Sequence, residues 1–242
     1  MKIVGIIPAR YASSRFPGKP LIDLKGKTMI QRVYEGAKKS NRLHKVIVAT
    51  DDQRIFDEVV RFGGEVIMTS EEHRTGTDRC GEIAAKVDAD VVINIQGDEP
   101  LIDYRQLDAL CDSFNDETVT ISTLGISDVS EEDKSNPNRI KIALDYQGDA
   151  LYFSRSAIPN QHNATEKDSK NFSFYRHIGV YAYRNATLQE LVKLTPTELE
   201  KIESLEQLRW MYYGYKVRVV ETTIETPNID VPEDVTKVLD LL

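Results

Sequence analysis

Cysteine is nearly absent: the 242 residues carry two, Cys80 and Cys111, each inside an apolar-periodic segment and not arranged as a metal-ligand pair. That scarcity excludes a disulfide scaffold and reads as two buried small hydrophobes in a reducing cytoplasm. Long apolar runs are also missing. The stretch Ile3-Val4-Gly5-Ile6-Ile7 is too short for a signal sequence or a membrane span, and it reads as a first strand. Nor is there a basic excess. With 31 Lys and Arg against 39 Asp and Glu, the net charge of −8 excludes general nucleic-acid binding, which needs a basic face. No internal repeat or low-complexity tract occurs.

What is present is a regular alternation of strand and helix patterns. Apolar strand runs fall at residues 2–8, 45–50, 65–68 and 91–95, separated by segments of helical period such as Met29, Ile30, Val33 and Ala37. Near-continuous Val/Ile strands alternating with helices specify an α/β fold, a mostly parallel sheet with helices on both faces. The length fits one domain spanning 1–242. After residue 103 the pattern changes, and strands of alternating character at 119–125, 139–144, 150–153 and 177–183 predict an antiparallel excursion over about 119–183. The polar stretch 160–173 reads as a loop. Two helices, a strand at 216–223 and a last helix after Pro232 complete the chain. Exposed strand edges in the excursion predict a homodimer formed through it.

The acid excess is locally reversed. Between residues 10 and 27 lie five cations, Arg10, Arg15, Lys19, Lys25 and Lys27, against the single carboxylate Asp23. Ligands of open parallel sheets bind beyond the carboxyl ends of the strands, and this cluster follows the first strand. Forked arginine donors and a compact ammonium suit phosphate oxygens and the charge of a leaving pyrophosphate. The loop is neither a GxxxxGK[ST] loop nor a GxGxxG turn; the bland alternative is a solvated basic loop. Asp98 and Glu99 follow the strand at 91–95 on the same sheet edge. A carboxylate there, beside bound phosphates, suits Mg²⁺, whereas the bland alternative is a turn acid before Pro100. By the same bland reading Asp230 caps the helix that follows Pro232, and a lone strand histidine such as His177 is structural. No Ser/His or Cys/His nucleophile pair is evident, which favours direct transfer.

These segments resemble those of the 3-deoxy-manno-octulosonate (Kdo) cytidylyltransferases. The likeness is carried by Arg10, Arg15, Pro17, Gly18 and Lys19 after the first strand and by Gln96-Gly97-Asp98-Glu99-Pro100. It extends through His73-Arg74-Thr75-Gly76-Thr77-Asp78-Arg79, Asn136-Pro137-Asn138, Leu151-Tyr152-Phe153-Ser154-Arg155, Arg176-His177-Ile178-Gly179-Val180-Tyr181 and Glu203-Ser204-Leu205-Glu206-Gln207-Leu208-Arg209. It therefore runs from residue 2 to about residue 238.

The resemblance implies a Rossmann-like nucleotidyltransferase (GT-A-like) sheet and a reaction in which CTP and Kdo give CMP-Kdo and pyrophosphate for lipopolysaccharide synthesis. It implies that Arg10, Arg15 and Lys19 hold the CTP phosphates, Arg15 and Lys19 with Asp98 carrying the chemistry. The backbone of Pro8 and Ala9 lies near the cytosine, Thr75, Gly76 and Arg79 frame the nucleotide, and Gln96 contacts nucleotide or sugar. Asp98 and Asp230 bind Mg²⁺. Arg155, His177, Tyr181, Glu203 and Gln207 form the acid-sugar pocket. Helical spacing puts Glu203, Gln207 and Trp210 on one side of a helix, with Trp210 a wall or plain core. Asn160 stands where the family commonly has tryptophan, which leaves the sugar open between Kdo and its 8-amino analogue. A non-catalytic nucleotide-sugar-binding protein on the same fold is the remaining alternative.

Overall fold

The computed structural model describes residues 1–12, 16–127 and 129–242. The chain forms two compact units, one made of Met1–Asp112, Val180–Val192 and Glu225–Leu242, the other of Ser113–Gly179 and Lys193–Ile224. The excursion expected over 119–183 thus lies mostly in the second unit, which also takes in a later segment.

In chain order the first unit begins with β1 (Ile3–Ala9), a 3₁₀ turn (Lys19–Leu21), the short hairpin β2 (Asp23–Leu24) and β3 (Lys27–Thr28), and α1 (Met29–Ala37). It continues with β4 (Lys45–Thr50), α2 (Gln53–Arg61), β5 (Val66–Met68), α3 (Gly76–Ala84), β6 (Val91–Asn94) and α4 (Tyr104–Ser113). The chain then enters the second unit with β7 (Ile121–Ile126), α5 (Glu131–Ser135), β8 (Lys141–Leu144), β9 (Ala150–Ser154) and α6 (Glu166–Asn171). The long strand β10 (Tyr175–Arg184) carries it back to the first unit, which receives α7 (Asn185–Leu191). The second unit ends with α8 (Glu198–Glu203), α9 (Gln207–Tyr212) and β11 (Arg218–Glu221), and the first with α10 (Asp234–Leu241).

In the first unit β1 pairs in parallel with β4 on one side and β6 on the other, and β4 pairs in parallel with β5. The end of β10 runs antiparallel along β6. Side chains of β1, β4 and β6, including Ile6, Ile7, Ile47, Val48, Val92 and Ile93, are excluded from water, which is why these strands read as unbroken apolar runs. Helix α1 starts where Thr28 accepts a bond from Gln31 N and buries Met29, Ile30, Val33, Tyr34 and Ala37 along one face. Asp52 caps α2 through Arg54 N, and Gly63, at φ 78°, ends that helix in a conformation that favours glycine.

In the second unit β7 pairs in parallel with β11, β8 pairs antiparallel with β9, and the first residues of β10 pair antiparallel with β8. Three expectations need correction here. The stretch 160–173 contains α6, opened by Thr165, which accepts from Asp168 N. A further short helix, α5, has Ser130 as its cap. Glu203 and Gln207 do not share a helix: α8 stops at Glu203 because Ser204 turns into the left-handed region at φ 53°, and Gln207 opens α9. Helical spacing between them therefore has no meaning. Trp210 is 1% exposed and belongs to the core.

Candidate nucleotide and sugar sites

Because β1, β4 and β6 run in parallel, residues 8–10, 50–52 and 94–98 come out on one edge of the first unit's sheet. There a concavity of about 320 Å³ is bordered by Pro8, Ala9 and Arg10 from the end of β1 and by Lys19 from the 3₁₀ turn. Thr75, Gly76 and Arg79 border it from the start of α3, and Gln96 and Asp98 from the segment after β6. The structure thus brings together the first-unit residues named for the nucleotide; Arg15 lies outside the described residues.

The walls fit closely because of two glycines. A Cβ on Gly97 would stand 2.9 Å from the Pro8 carbonyl oxygen, and one on Gly76 would stand 3.2 Å from the Pro8 ring. Both segments therefore rest on Pro8, at a distance only glycine tolerates. Thr75 and Asp78 form a reciprocal capping box that fixes the N-terminus of α3 at the cavity wall. Asn94, at the end of β6, is 3% exposed, and its side-chain oxygen is enclosed without a hydrogen-bond partner.

The cations divide into two groups. Arg10 is exposed, and so is Arg74, which borders the same cavity. Among the described residues neither makes an ion pair, so both charges are available to an anion. Arg74 was not singled out from sequence, although it stands inside the segment that carries the resemblance. Arg79 is different. It is 3% exposed, and its guanidinium donates to Asp51 Oδ2 at 2.5 Å and to Thr69 Oγ1. Its donors tie the ends of β4 and β5 together, so Arg79 frames the cavity as scaffold rather than as a free phosphate ligand.

Lys19 lies between the two carboxylates named for the metal. Its ammonium donates to Asp98 Oδ2 at 2.7 Å and to the Ile229 carbonyl at 2.8 Å, and stands 3.9 Å from Asp230 Oδ1. Ile229 N in turn donates to the Asp98 carbonyl, so backbone as well as side chains couples the segment after β6 to residues 229–230. Asp230 is not the cap of the last helix: Asp234 accepts from the backbone N–H groups of Asp230 and Val231, leaving the Asp230 carboxylate turned to Lys19 and to Asn228 Nδ2. Glu99, next in sequence, plays no such part. It is buried against Thr226, and loss of water together with the charge of Asp98 pushes its carboxyl up to about 8.

One cation bridging Asp98 and Asp230 shows that the two carboxylates can share a positive charge. Among the described residues no cluster of three or more metal-binding side chains occurs. Two carboxylates with the remaining positions open is a donor set that fits Mg²⁺, which keeps several waters and takes phosphate oxygens as ligands.

In the second unit, Arg155 donates through Nε to the Glu203 carbonyl at 2.6 Å, through Nη1 to the Pro137 carbonyl at 2.9 Å and through Nη2 to the Ser204 carbonyl at 3.3 Å. All three acceptors are neutral, so the guanidinium is held in place without an ion pair among the described residues. The Glu203 carboxylate accepts from Ser154 Oγ at 2.7 Å and from Arg155 N at 2.9 Å. Lys141, fully buried, donates to the carbonyls of Asn136 at 2.9 Å and Arg155 at 2.6 Å. Desolvation lowers its pKa. Gln207 is 5% exposed, with its amide nitrogen enclosed and without a partner. Tyr181 sits in the first-unit half of β10, stacked on Tyr183.

His177 was a candidate partner for a sugar carboxylate by virtue of positive charge, and that part of the reading is corrected. Its Nε2 is hydrogen-bonded to Thr123 Oγ1 at 2.9 Å, its ring packs edge-on against Phe153, and desolvation with the neighbouring Arg176 charge pushes its pKa down to about 3. At neutral pH it is a neutral hydrogen-bonding group. A depressed histidine pKa gives stability that is present above the unfolded value near 6.5 and lost as pH falls toward the folded value. Between pH 7 and pH 5 the native protein should therefore lose about 1 kcal/mol more than His177→Gln, discounting for the part of the ring that still meets solvent. Denaturant titrations at the two pH values test this; parallel losses in both proteins would mean that the imidazole titrates normally.

Comparison with known proteins agrees with this geometry. A cytidylyltransferase family model matches residues 4–222. The 3-deoxy-manno-octulosonate cytidylyltransferase of Bacteroides thetaiotaomicron is 51% identical over 240 residues, covering 97% of this chain and 95% of its own. That of Geobacter metallireducens is 46% identical over 250 residues, covering 100% and 98%. Among solved structures, a CMP:2-keto-3-deoxy-manno-octonic acid synthetase complexed with CTP superposes with a TM-score of 0.94 at 42% identity, covering 100% of this chain and 98% of its own. A 4-diphosphocytidyl-2C-methyl-D-erythritol synthase from Anaerococcus prevotii shares the fold alone, at 13% identity and a TM-score of 0.64.

Proposed function

The chain belongs to the 3-deoxy-manno-octulosonate cytidylyltransferases, and from that premise we propose that it transfers CMP from CTP to the anomeric hydroxyl of Kdo, releasing pyrophosphate. The observation that carries the reading is the convergence of Lys19, Asp98 and Asp230 beside a cavity rimmed by the unpaired cations Arg10 and Arg74.

The sugar hydroxyl attacks the α-phosphorus in line as the bond to pyrophosphate breaks. Such chemistry needs positioning and charge neutralisation rather than a protein nucleophile. Arg10, Arg74 and Lys19 hold the triphosphate and offset charge on the departing pyrophosphate. Asp98 and Asp230 hold Mg²⁺, which when bound supplies Lewis-acid stabilisation of phosphate charge. In the second unit Arg155 is the cation for the sugar carboxylate, and Gln207, with an enclosed and unpaired donor, and His177 are candidates for its hydroxyls.

The reading includes a Mg²⁺-dependent, cytoplasmic homodimer that supplies lipopolysaccharide synthesis. Among the described residues no helix is long and apolar enough to cross a membrane. Light scattering at micromolar concentration tests the dimer, and a monomer only would remove it. The reaction is tested by pyrophosphate release from each of the four NTPs, with and without Kdo. Release is expected only with CTP and Kdo together; equal release from other NTPs, or without sugar, would overturn the assignment. Running Kdo against its 8-amino analogue at equal concentration decides the sugar, and the expected preference is for Kdo.

A further inference from the structure

We infer that Tyr11 and Arg54 form a clamp that positions the phosphate loop, with Arg54, on a neighbouring helix, acting through the Tyr11 ring. The inference rests on the reading of Lys19 as a CTP phosphate ligand.

Arg54 places its guanidinium carbon 3.3 Å from the centroid of the Tyr11 ring. The arginine is itself fixed. Asp52, which caps α2, accepts from Arg54 Nε at 2.9 Å and Nη2 at 2.6 Å, as well as from Arg54 N. An arginine whose side chain is 59% exposed would otherwise sample many rotamers, and the fork from Asp52 holds it over the ring.

Gly18 meets the ring as well. A Cβ built there would stand 3.1 Å from the Tyr11 ring carbon and hydroxyl, and Gly18 has φ 73°, so the position excludes side chains on two independent grounds. Gly18 N also donates to the Tyr11 carbonyl at 3.0 Å, closing the loop at its neck. The next residue is Lys19, whose ammonium reaches Asp98 at 2.7 Å. A physical chain thus runs from α2 through Arg54, Tyr11 and Gly18 to the lysine at the centre of the site. Among these contacts only Lys19 meets the reacting groups of the proposed mechanism; Tyr11 and Arg54 are positioning residues.

Loop order removed from the free enzyme must be restored when CTP binds, so the effect should fall on CTP and spare the sugar. Tyr11→Ala and Arg54→Ala should each raise the CTP KM by roughly 3- to 30-fold, the range for a cation–π contact and the order it imposes. The double variant should be no worse than the more severe single one, since both remove the same contact. Tyr11→Phe, which keeps the ring, should restore the native CTP KM. The sugar KM and the melting temperature should stay close to native in all of them. A CTP KM unchanged in Tyr11→Ala, while Lys19→Ala raises it, would overturn the clamp and leave the loop reading standing. Unchanged CTP kinetics in Lys19→Ala as well would overturn both. Equal losses for CTP and sugar with a lowered melting temperature would reduce Tyr11 to a structural residue and likewise defeat the inference.

Discussion

Asp98→Asn should lower kcat by roughly 10²- to 10³-fold, the range for losing one preorganised group that answers charge in the transition state. The substitution keeps shape and removes the anion. In the native protein the Asp98 carboxylate holds the Lys19 ammonium at 2.7 Å, and the Asp98 carbonyl accepts from Ile229 N at 2.9 Å. The backbone bond survives in the variant, so the fold should survive too, with a loss of about 1 kcal/mol or less for a partly exposed ion pair. Lys19 then has only Asp230 and the Ile229 carbonyl, and a hard cation has one carboxylate fewer to bind. The deficit should accordingly narrow as Mg²⁺ is raised. A variant with native kcat at limiting Mg²⁺ would dissociate Asp98 from the chemistry.

The parts of this molecule that were legible in sequence are those fixed by local pattern. Buried parallel strands write themselves as Val/Ile runs, and caps such as Asp52 and Thr28 sit where helices must begin. The sheet edge that gathers Arg10, Lys19 and Asp98 followed from strand order alone, without knowledge of any side-chain contact. Features made by distant pairs were not legible. Arg79 looked like a nucleotide ligand because nothing in its neighbourhood announces Asp51, 28 residues earlier, as its partner. Ser204 broke the expected continuous helix through a left-handed turn at a residue type that rarely marks one. His177 carried a family position but not its protonation state, which is set by desolvation and by Arg176 after folding. Arg74 escaped notice for the opposite reason: its value lies in having no ion pair, and absence of a partner is visible only once the neighbours are placed.

The same logic makes Arg155 the sharper test of the sugar site. A guanidinium gripped by the carbonyls of Pro137, Glu203 and Ser204 keeps its full charge while its orientation is fixed. Lys141 beneath it donates to the Arg155 carbonyl and adds a second cation, against the one carboxylate of Glu203. An arriving sugar carboxylate would meet preorganised positive charge without first breaking a salt bridge, which is where binding affinity for an acid sugar comes from. Arg155→Ala should therefore lower kcat/KM for Kdo by roughly 2–4 kcal/mol, about 30- to 1000-fold, the range for truncating one partner of a buried charge pair. The CTP KM should hold close to native, because the triphosphate groups are assigned to Arg10, Arg74 and Lys19. Arg155→Lys separates charge from geometry: it keeps the cation and loses the fork, so its deficit should fall between native and alanine. Melting curves on both variants report the cost of the three freed carbonyls, which a purely structural role would show without any bias between substrates. Native Kdo kinetics in Arg155→Ala would move the carboxylate clamp to another residue, and equal losses on Kdo and CTP would return Arg155 to the scaffold.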